Sequence, residues 1–195
     1  NIWDAGERGW QAWAANVDRL NLKRRNAFYG DWWDEAAQWR TGGFDRLCGG
    51  VPGSPTTAEL AARGVRGTLF VHQLLTVRPG APLDYLAAVV AEQVPLWREY
   101  GHELTGAYEV LGNQHEAIVV WASSIAGQTR LRANRDAARG LGDEGEPDER
   151  LVAWERTAAE LVTGGDTHVM TPMPGTVYGP DDWDEASLDD WLAPG

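Results

Sequence analysis

The chain of 195 residues carries 29 acidic and 17 basic side chains, which gives a net charge of −12. This acidic balance argues against nucleic acid as a partner, because phosphate binding requires clustered cations, and against an anionic membrane surface. Apolar residues make up 43% of the chain, which suffices for a core and excludes a disordered protein. The 11 tryptophans favour either a large core or a pocket for a flat organic ligand.

The N-terminal segment is predicted to be mostly helical. Trp10 and Trp13 begin an apolar stripe at helical spacing, and a second helix is predicted over residues 26–40. A short strand follows at residues 44–48, and residues 54–65 have the composition of a linker.

The next segment reads as a strand, a helix and a hairpin. Residues 66–78 are β-branched and aromatic, which is typical of a strand. Residues 82–100 place apolar side chains on one helical face, and Pro95 should kink that helix. Residues 103–111 and 115–123 are predicted to form two strands joined by a Gly-Asn turn.

Two more helices and a strand are predicted after the hairpin. Ser123 or Ser124 can cap a helix that runs to about Arg139. An acidic, glycine-containing loop follows. The helix predicted at residues 148–163 should end at a Gly-Gly pair, and residues 166–173 form the last strand.

The resulting order is β-α-β-β-α-β, which predicts an α+β ferredoxin-like unit over residues 66–175. Helices cover one face of such a sheet, so the other face requires a partner or remains an apolar patch. Residues 176–195 form an acidic tail.

Two similar segments suggest that this unit occurs twice. "TGGFDRLCGGVPG" at 41–53 and "TGGDTHVMTPMPG" at 163–175 match at both ends, and the same shift of 122 positions aligns Trp32 with Trp154. Residues 1–53 are therefore predicted to be the C-terminal half of a first repeat. Half a repeat leaves strand edges uncovered, so we expect a missing N-terminal segment or a second chain to complete it. The alternative is an unrelated helical extension.

Residues 66 to about 175 also carry a family pattern. Its features are Arg-Pro-Gly at 78–80, a helix with a late Pro95, "REYG" at 98–101, and "ELTGAYEV" at 103–110 before a Gly-Asn turn and a strand ending in Trp121. In these features the chain resembles the NIPSNAP family of the dimeric α+β barrel superfamily.

This resemblance implies two ferredoxin-like sheets packed face to face as a dimeric α+β barrel that encloses a cavity, with the first unit incomplete in this chain. The superfamily includes cofactor-free monooxygenases, haem enzymes, isomerases and lactone-forming enzymes, so the fold does not select a reaction. Many relatives carry Glu and Arg at alternate positions of the first strand, where this chain has Val71 and Gln73.

Common cofactor and metal motifs are absent from the sequence, which has no P-loop, no GxGxxG after a strand, no HExxH and no CxxC. The single cysteine, Cys48, excludes an intrachain disulfide. No metal site and no cofactor are expected. Haem is retained as an alternative, with His72, His115 or His168 as its axial ligand.

Histidines can act as general bases near neutral pH, or they can be core or rim residues with hydrogen-bonded rings. Strand alternation places His115 and Trp121 on one face, and Gly106 and Tyr108 on one face of the neighbouring strand. An aromatic surface with one imidazole and one phenol is typical of a ligand wall, although Tyr108 and Trp121 could simply fill the core. We predict that His115, Tyr108 and His72 are catalytic.

The residues predicted to contact substrate are Trp121, Gln73, Phe70, His168 and Trp3. The predicted protein is an enzyme of bacterial specialised metabolism. It acts on an apolar or aromatic small molecule by cofactor-free oxygenation, cyclisation or isomerisation. The alternative is a non-catalytic ligand-binding or assembly module. No apolar run approaches the ~20 residues of a membrane span and no signal peptide is visible, so we expect a cytoplasmic protein. We also expect a homo-oligomer.

Overall fold

A computed structural model describes residues 9–23, 27–41, 45–141, 147–172 and 178–179. The chain forms two compact units, with the boundary between Arg46 and Leu47.

The first unit contains two helices, α1 (Gly9–Lys23) and α2 (Ala27–Gln38). Within α1, the rings of Trp10 and Trp13 lie 4.6 Å apart between centroids. Three tryptophans of this unit expose more than half of their surface: Trp10 (59%), Trp32 (51%) and Trp39 (83%). These indole rings are therefore largely on the surface and do not form a closed core.

The duplication remains a prediction. A shift of 122 positions places the first residue of α2 on position 149, where a helix of the second unit also begins. However, Trp3, Gly42, Gly43 and the second Pro-Gly pair at 174–175 lie outside the described residues.

The second unit contains five strands and five α-helices among the described residues. In chain order these are β1 (Cys48–Gly50), α3 (Thr57–Ala62), β2 (Leu69–Val77), α4 (Pro82–Ala88), α5 (Val94–Glu99), β3 (Glu103–Val110), β4 (Glu116–Ser123), α6 (Ile125–Ala138), α7 (Glu149–Leu161) and β5 (Val162–Met170). A π-helix, Val89–Gln93, joins α4 to α5.

The five strands form one antiparallel sheet in the order β1-β3-β4-β2-β5. Strands β2 to β5 follow the ferredoxin-like order, and β1 is added at the edge beside β3. The predicted α+β class and the β-α-β-β-α-β order are thus confirmed. The strand predicted at residues 44–48 is observed at Cys48–Gly50, where it belongs to the sheet of the second unit.

The segment from α4 to α5 packs on one face of the sheet, hereafter the helix face. Leu86 and Val89 have no exposed surface, and Trp97 is 3% exposed. Proline has no N–H to donate at Pro95, and the π-helix ends immediately before it, with the Val94 N–H bonded to the Val89 carbonyl five residues back. The expected irregularity at Pro95 therefore takes the form of one wide helical turn.

The second crossover is formed by α6 and α7. Ser124 caps α6, because its Oγ accepts a hydrogen bond from the Gly127 N–H at 3.1 Å, as the sequence allowed. The prediction that the Gly-Gly pair ends α7 was wrong. The helix ends at Leu161, and β5 starts at the β-branched Val162, whose φ of −85° and ψ of 126° are already extended.

Short segments next to the start of β2 are also held in place. Thr56 and Glu59 form a capping box at α3, inside the segment predicted as a linker. Near the C-terminus, the Tyr178 carbonyl accepts from the Gly67 N–H at 3.0 Å, and the Gly179 carbonyl accepts from Arg66 Nη1 at 2.7 Å. Residues 178–179 therefore lie beside the start of β2.

Candidate functional site

The candidate site is the sheet face opposite the helices, hereafter the outer face. Strand registers place the following side chains on it: Cys48, Phe70, His72, Leu74, Tyr108, Val110, Ile118, Val120, His168 and Met170. Val110, Ile118 and Val120 are each 6–7% exposed and form an apolar cluster with Cys48, Leu74 and Tyr108. The members of this cluster all come from strands, whereas the main core joins strands to helices.

Two imidazole rings lie side by side on this face. His72 on β2 and His168 on β5 are directly opposite each other in the register. Their ring centroids are 6.2 Å apart and their planes differ by 30°. His72 is half-buried and His168 is exposed. One ring is therefore set partly into the sheet and the other is open to an approaching molecule.

Aromatic residues lie on either side of the histidines. Tyr108 is opposite Ile118 in the register and folds back over Gly106 on its own strand. Phe70 meets Tyr178 edge to face, with the centroids 6.3 Å apart. The outer face therefore combines an apolar floor with two imidazoles and a phenol, a composition suited to an apolar ligand with a few polar groups.

The predicted wall of His115, Tyr108 and Trp121 does not form. The register between β3 and β4 shifts between Leu104 and Gly106, so one residue, Thr105, interrupts the alternation. A bulge of this kind moves every later side chain to the other face. As a result, Tyr108 lies on the outer face and Trp121 on the helix face.

Trp121 belongs to the core, and Gln73 lies half-buried beside it on the helix face. Trp121 has no exposed surface, and its ring lies 4.6 Å from that of Trp97 between centroids. Its Nε1 donates a hydrogen bond to Gln73 Oε1 at 3.1 Å. Of the predicted contact residues, only Phe70 and His168 are therefore found on the outer face, and Trp3 lies outside the described residues.

His115 is an exposed residue immediately before β4. Its carbonyl accepts a hydrogen bond from Val77 at the far end of β2, and its N–H donates to Asn113 Oδ1. His72 is five residues earlier in β2 than Val77. The structure therefore brings together His72 and Tyr108 on one face but does not add His115 to them.

A second concave region, not expected from the sequence, lies at one end of the sheet. An open cleft of ≈ 520 Å³ lies where β3 begins and β4 ends, and its lining residues include Arg66, Arg98, His102, Glu103 and Ser124. These residues come from three segments of the chain, within 66–68, 98–103 and 122–124. The pattern "REYGHE" at 98–103 was a local signal, since it places an arginine, a histidine and a carboxylate around a turn.

Glu103 organises the charges in this cleft. Arg98 donates to it through Nε at 2.8 Å and Nη2 at 2.6 Å, and Arg63 donates at 2.9 Å. The hydrogen bond from Arg98 is the main reason that the pKa of Glu103 is lowered, because it favours the charged carboxylate. Glu103 is therefore ionised at neutral pH.

His102 is a buried residue of the same cleft, with 1% of its surface exposed. Among the described residues, neither ring nitrogen has a hydrogen-bond partner. Burial lowers the pKa of His102 to about 4, although the nearby Gly127 backbone opposes the shift. The imidazole is therefore neutral at physiological pH.

No group of three or more His, Cys, Asp or Glu side chains among the described residues is arranged to hold a metal ion. No helix within the same residues is long and apolar enough to cross a membrane.

The strand order and the single helical layer define the class of this unit as α+β ferredoxin-like. No family model matches the chain, and no curated protein matches it. Solved structures do match. A NIPSNAP family protein of unknown function from Agrobacterium tumefaciens is 22% identical with a TM-score of 0.42, and the alignment covers 55% of this chain and 89% of that one.

Two further solved structures are similar. A second NIPSNAP family protein from Agrobacterium tumefaciens is 16% identical, with a TM-score of 0.44 and coverage of 57% and 91%. An uncharacterized NIPSNAP domain protein from Burkholderia xenovorans is 15% identical, with a TM-score of 0.41 and coverage of 53% and 93%. These solved structures are described as NIPSNAP family or NIPSNAP domain proteins, the family that the sequence resembles.

Proposed function

We propose that the outer face is one wall of a cavity that binds an apolar or aromatic small molecule, and that the protein is an enzyme acting on it by acid–base chemistry without a bound cofactor. The observation that carries this proposal is the placement of His72, His168 and Tyr108 around the apolar floor of Val110, Ile118 and Val120. A second sheet laid over this face completes the cavity.

His72 is the best candidate for the general base. It is half-buried and lies beside a second imidazole, and imidazole exchanges protons near neutral pH. Tyr108 carries a phenol that can donate a hydrogen bond to a developing oxyanion on the ligand. These roles fit the removal of a proton next to a carbonyl or phenol, a step shared by oxygenation, cyclisation and isomerisation. The exposed His115 has no part in this proposal.

A panel of polycyclic phenols and ketones, screened for ligand-induced thermal stabilisation and then for turnover, tests the proposal. Loss of His72 in His72→Gln, or of the phenol in Tyr108→Phe, should lower turnover by about 100-fold or more, the usual contribution of a general acid or base. His115→Gln is the matched control and should retain wild-type turnover. Wild-type turnover in all three variants would show that the outer face is not the catalytic site.

The absorption spectrum of the purified protein checks the cofactor. We expect no Soret band. A Soret band lost in His72→Gln or His168→Gln would replace the cofactor-free proposal with a haem-dependent one.

A second candidate function is assembly without catalysis. Strand β5 is an edge strand, and its Val169 and Met170 are 62% and 41% exposed, a combination that favours pairing with another chain. The exposed Trp10 and Trp32 also suit a surface covered by a partner chain or by the rest of a first repeat. Sedimentation equilibrium of the wild type and of Val169→Lys tests this candidate. The wild type should be a homo-oligomer, and the lysine variant should dissociate.

A further inference from the structure

The cleft at the strand ends has a positive lining in an acidic protein. Arg66 and Arg98 line both parts of it, and Arg63 lines the second part, an adjoining depression of ≈ 500 Å³. Glu103 is the one acidic side chain among the lining residues that the structure describes. Three guanidinium groups around one carboxylate favour an anionic ligand, although the net charge of the chain is −12.

The N-terminus of α6 opens at the same place. Ser124, the cap of this 14-residue helix, lines the cleft. Its Oγ accepts from the Gly127 N–H, and its carbonyl accepts from the Gln128 N–H. The N–H groups that precede Gly127 in the first turn have no partner inside the helix, and the helix dipole gives this end a partial positive charge. Such a helix end is a ready site for an anion.

His102 is an independent sign of a missing ligand. A buried polar group without a hydrogen bond costs roughly 1–3 kcal/mol. Neither ring nitrogen of His102 makes a hydrogen bond of good geometry among the described residues, and the Gly127 backbone is only a weak partner. The ring lies against Trp97, with the centroids 5.2 Å apart, and the residue lines the cleft. A bound molecule with an oxygen atom at this point would satisfy the imidazole.

We propose that this cleft binds the phosphate group of a small molecule. The N–H groups at the start of α6 and the Ser124 hydroxyl donate to the phosphate oxygens, Arg66 and Arg98 supply positive charge, and His102 donates its ring N–H. Guanidinium groups and helix N-termini both match the several acceptor oxygens of a phosphate. A carboxylate has only two oxygens and one negative charge, so it engages fewer of these donors than a phosphate does.

This site is distinct from the outer face in position and in chemistry. Of its lining residues, Ala122 alone pairs with an outer-face residue, Phe70, and none of the three polar side chains of the outer face lines the cleft. The proposed ligands also differ in charge. The cleft therefore binds its ligand whether or not the outer face is catalytic.

Isothermal titration calorimetry of the full chain at low salt tests the proposal. Inorganic phosphate and glycerol 3-phosphate are the probes, and acetate is the comparison anion. We expect both phosphates to bind at least 10-fold more tightly than acetate. The affinity should fall as NaCl is added, because salt screens exposed charges. Acetate binding as tightly as phosphate would overturn the proposed ligand class.

Charge variants locate the site. Arg66→Gln should weaken phosphate binding by about 10-fold, in line with the loss of one charge-assisted hydrogen bond. Glu103→Gln should strengthen it several-fold, because the competing carboxylate no longer holds Arg63 and Arg98. A purely structural role of Glu103 could not produce this gain.

The matched control is Arg132→Gln. Arg132 lies on α6 but is not a lining residue of the cleft, and it pairs with Asp136. This variant changes the net charge of the chain by the same amount as Arg66→Gln and should leave the affinity unchanged. An equal loss in both arginine variants would show that only net charge matters and would overturn the site. Circular dichroism of each variant confirms that the fold is intact.

Discussion

The indole Nε1 of Trp121 donates a hydrogen bond to Oε1 of Gln73 across strands β4 and β2, at 3.1 Å. Trp121 is fully buried, so water cannot replace the glutamine without entering the core. Gln73 therefore has a structural role as the acceptor for a buried donor, and this role explains a half-buried polar residue on the helix face of β2.

Gln73→Leu should lower the free energy of unfolding by about 1–3 kcal/mol, because it leaves a buried N–H without a partner. In Trp121→Phe the donor is absent, so adding Gln73→Leu to that variant should cost less. Urea denaturation of the four proteins gives the coupling free energy. Gln114→Leu, at an exposed glutamine of the hairpin turn, should change stability little. Additive losses in the double variant would contradict a direct bond.

Gly106→Ala should displace the Tyr108 ring. A methyl group at position 106 would overlap the outer end of this ring, so the phenol must rotate toward solvent and uncover the apolar floor. Loss of these contacts should cost roughly 1–3 kcal/mol and increase binding of an apolar fluorescent dye. Gly164→Ala is the control, because no atom of the described residues lies within 4 Å of its added methyl group. Unchanged dye binding in Gly106→Ala would show that the ring does not seal the floor.

The arrangement of elements was predictable from local pattern. Residues 66–123 alternate between period-2 and helical spacing, and the observed β2, α4 to α5, β3 and β4 fall within the predicted ranges. The cap at Ser124 and the irregularity before Pro95 follow from the chemistry of serine and proline. Each of these signals is contained within a few neighbouring residues.

The candidate site was predictable only in part. Phe70, His72 and His168 share the outer face because β2 and β5 keep a regular alternation in this region. Tyr108 and Trp121 were expected together but are separated by the bulge at Thr105, whose hydroxyl bonds to the Val120 carbonyl at 3.0 Å. The one local signal for this bulge is Gly106, a glycine inside the strand. The arginine cleft likewise depends on distant segments that meet only after folding.

Gly53 is constrained by both backbone and packing. Its φ is +88°, and an added Cβ would lie 2.6 Å from Val90 Cγ1 on the π-helix. Gly64 has a φ of +61° with open space around it. Gly64→Ala should therefore cost only the left-handed backbone penalty, about 1 kcal/mol, and Gly53→Ala should cost more. Adding Val90→Ala to Gly53→Ala should recover part of the stability that the extra clash removes, as measured by thermal unfolding of the double variant. Equal losses at the two glycines would show that Val90 exerts no constraint.

The buried His102 should make stability depend on pH. Its folded-state pKa of about 4 lies below the ordinary 6.5, so between these values the unfolded chain binds a proton that the folded chain does not. The stability conferred by the neutral ring is fully present above about pH 6.5 and is lost progressively as the pH falls toward 4. Urea denaturation between pH 7 and pH 5 should show this loss.

The slope of the free energy of unfolding against pH separates the titration of His102 from a general loss of stability. His102→Gln removes the titrating ring, so its free energy of unfolding should change little between pH 7 and pH 5 even if the variant is less stable throughout. His115→Gln, at an exposed histidine, should retain the wild-type slope. The lowered pKa values of Glu103 and Asp148 place their contribution at lower pH, because a carboxylate stabilised in its charged form loses that stabilisation only when it is protonated. A wild-type slope in His102→Gln would therefore assign the pH dependence to another group and would contradict a neutral, buried His102.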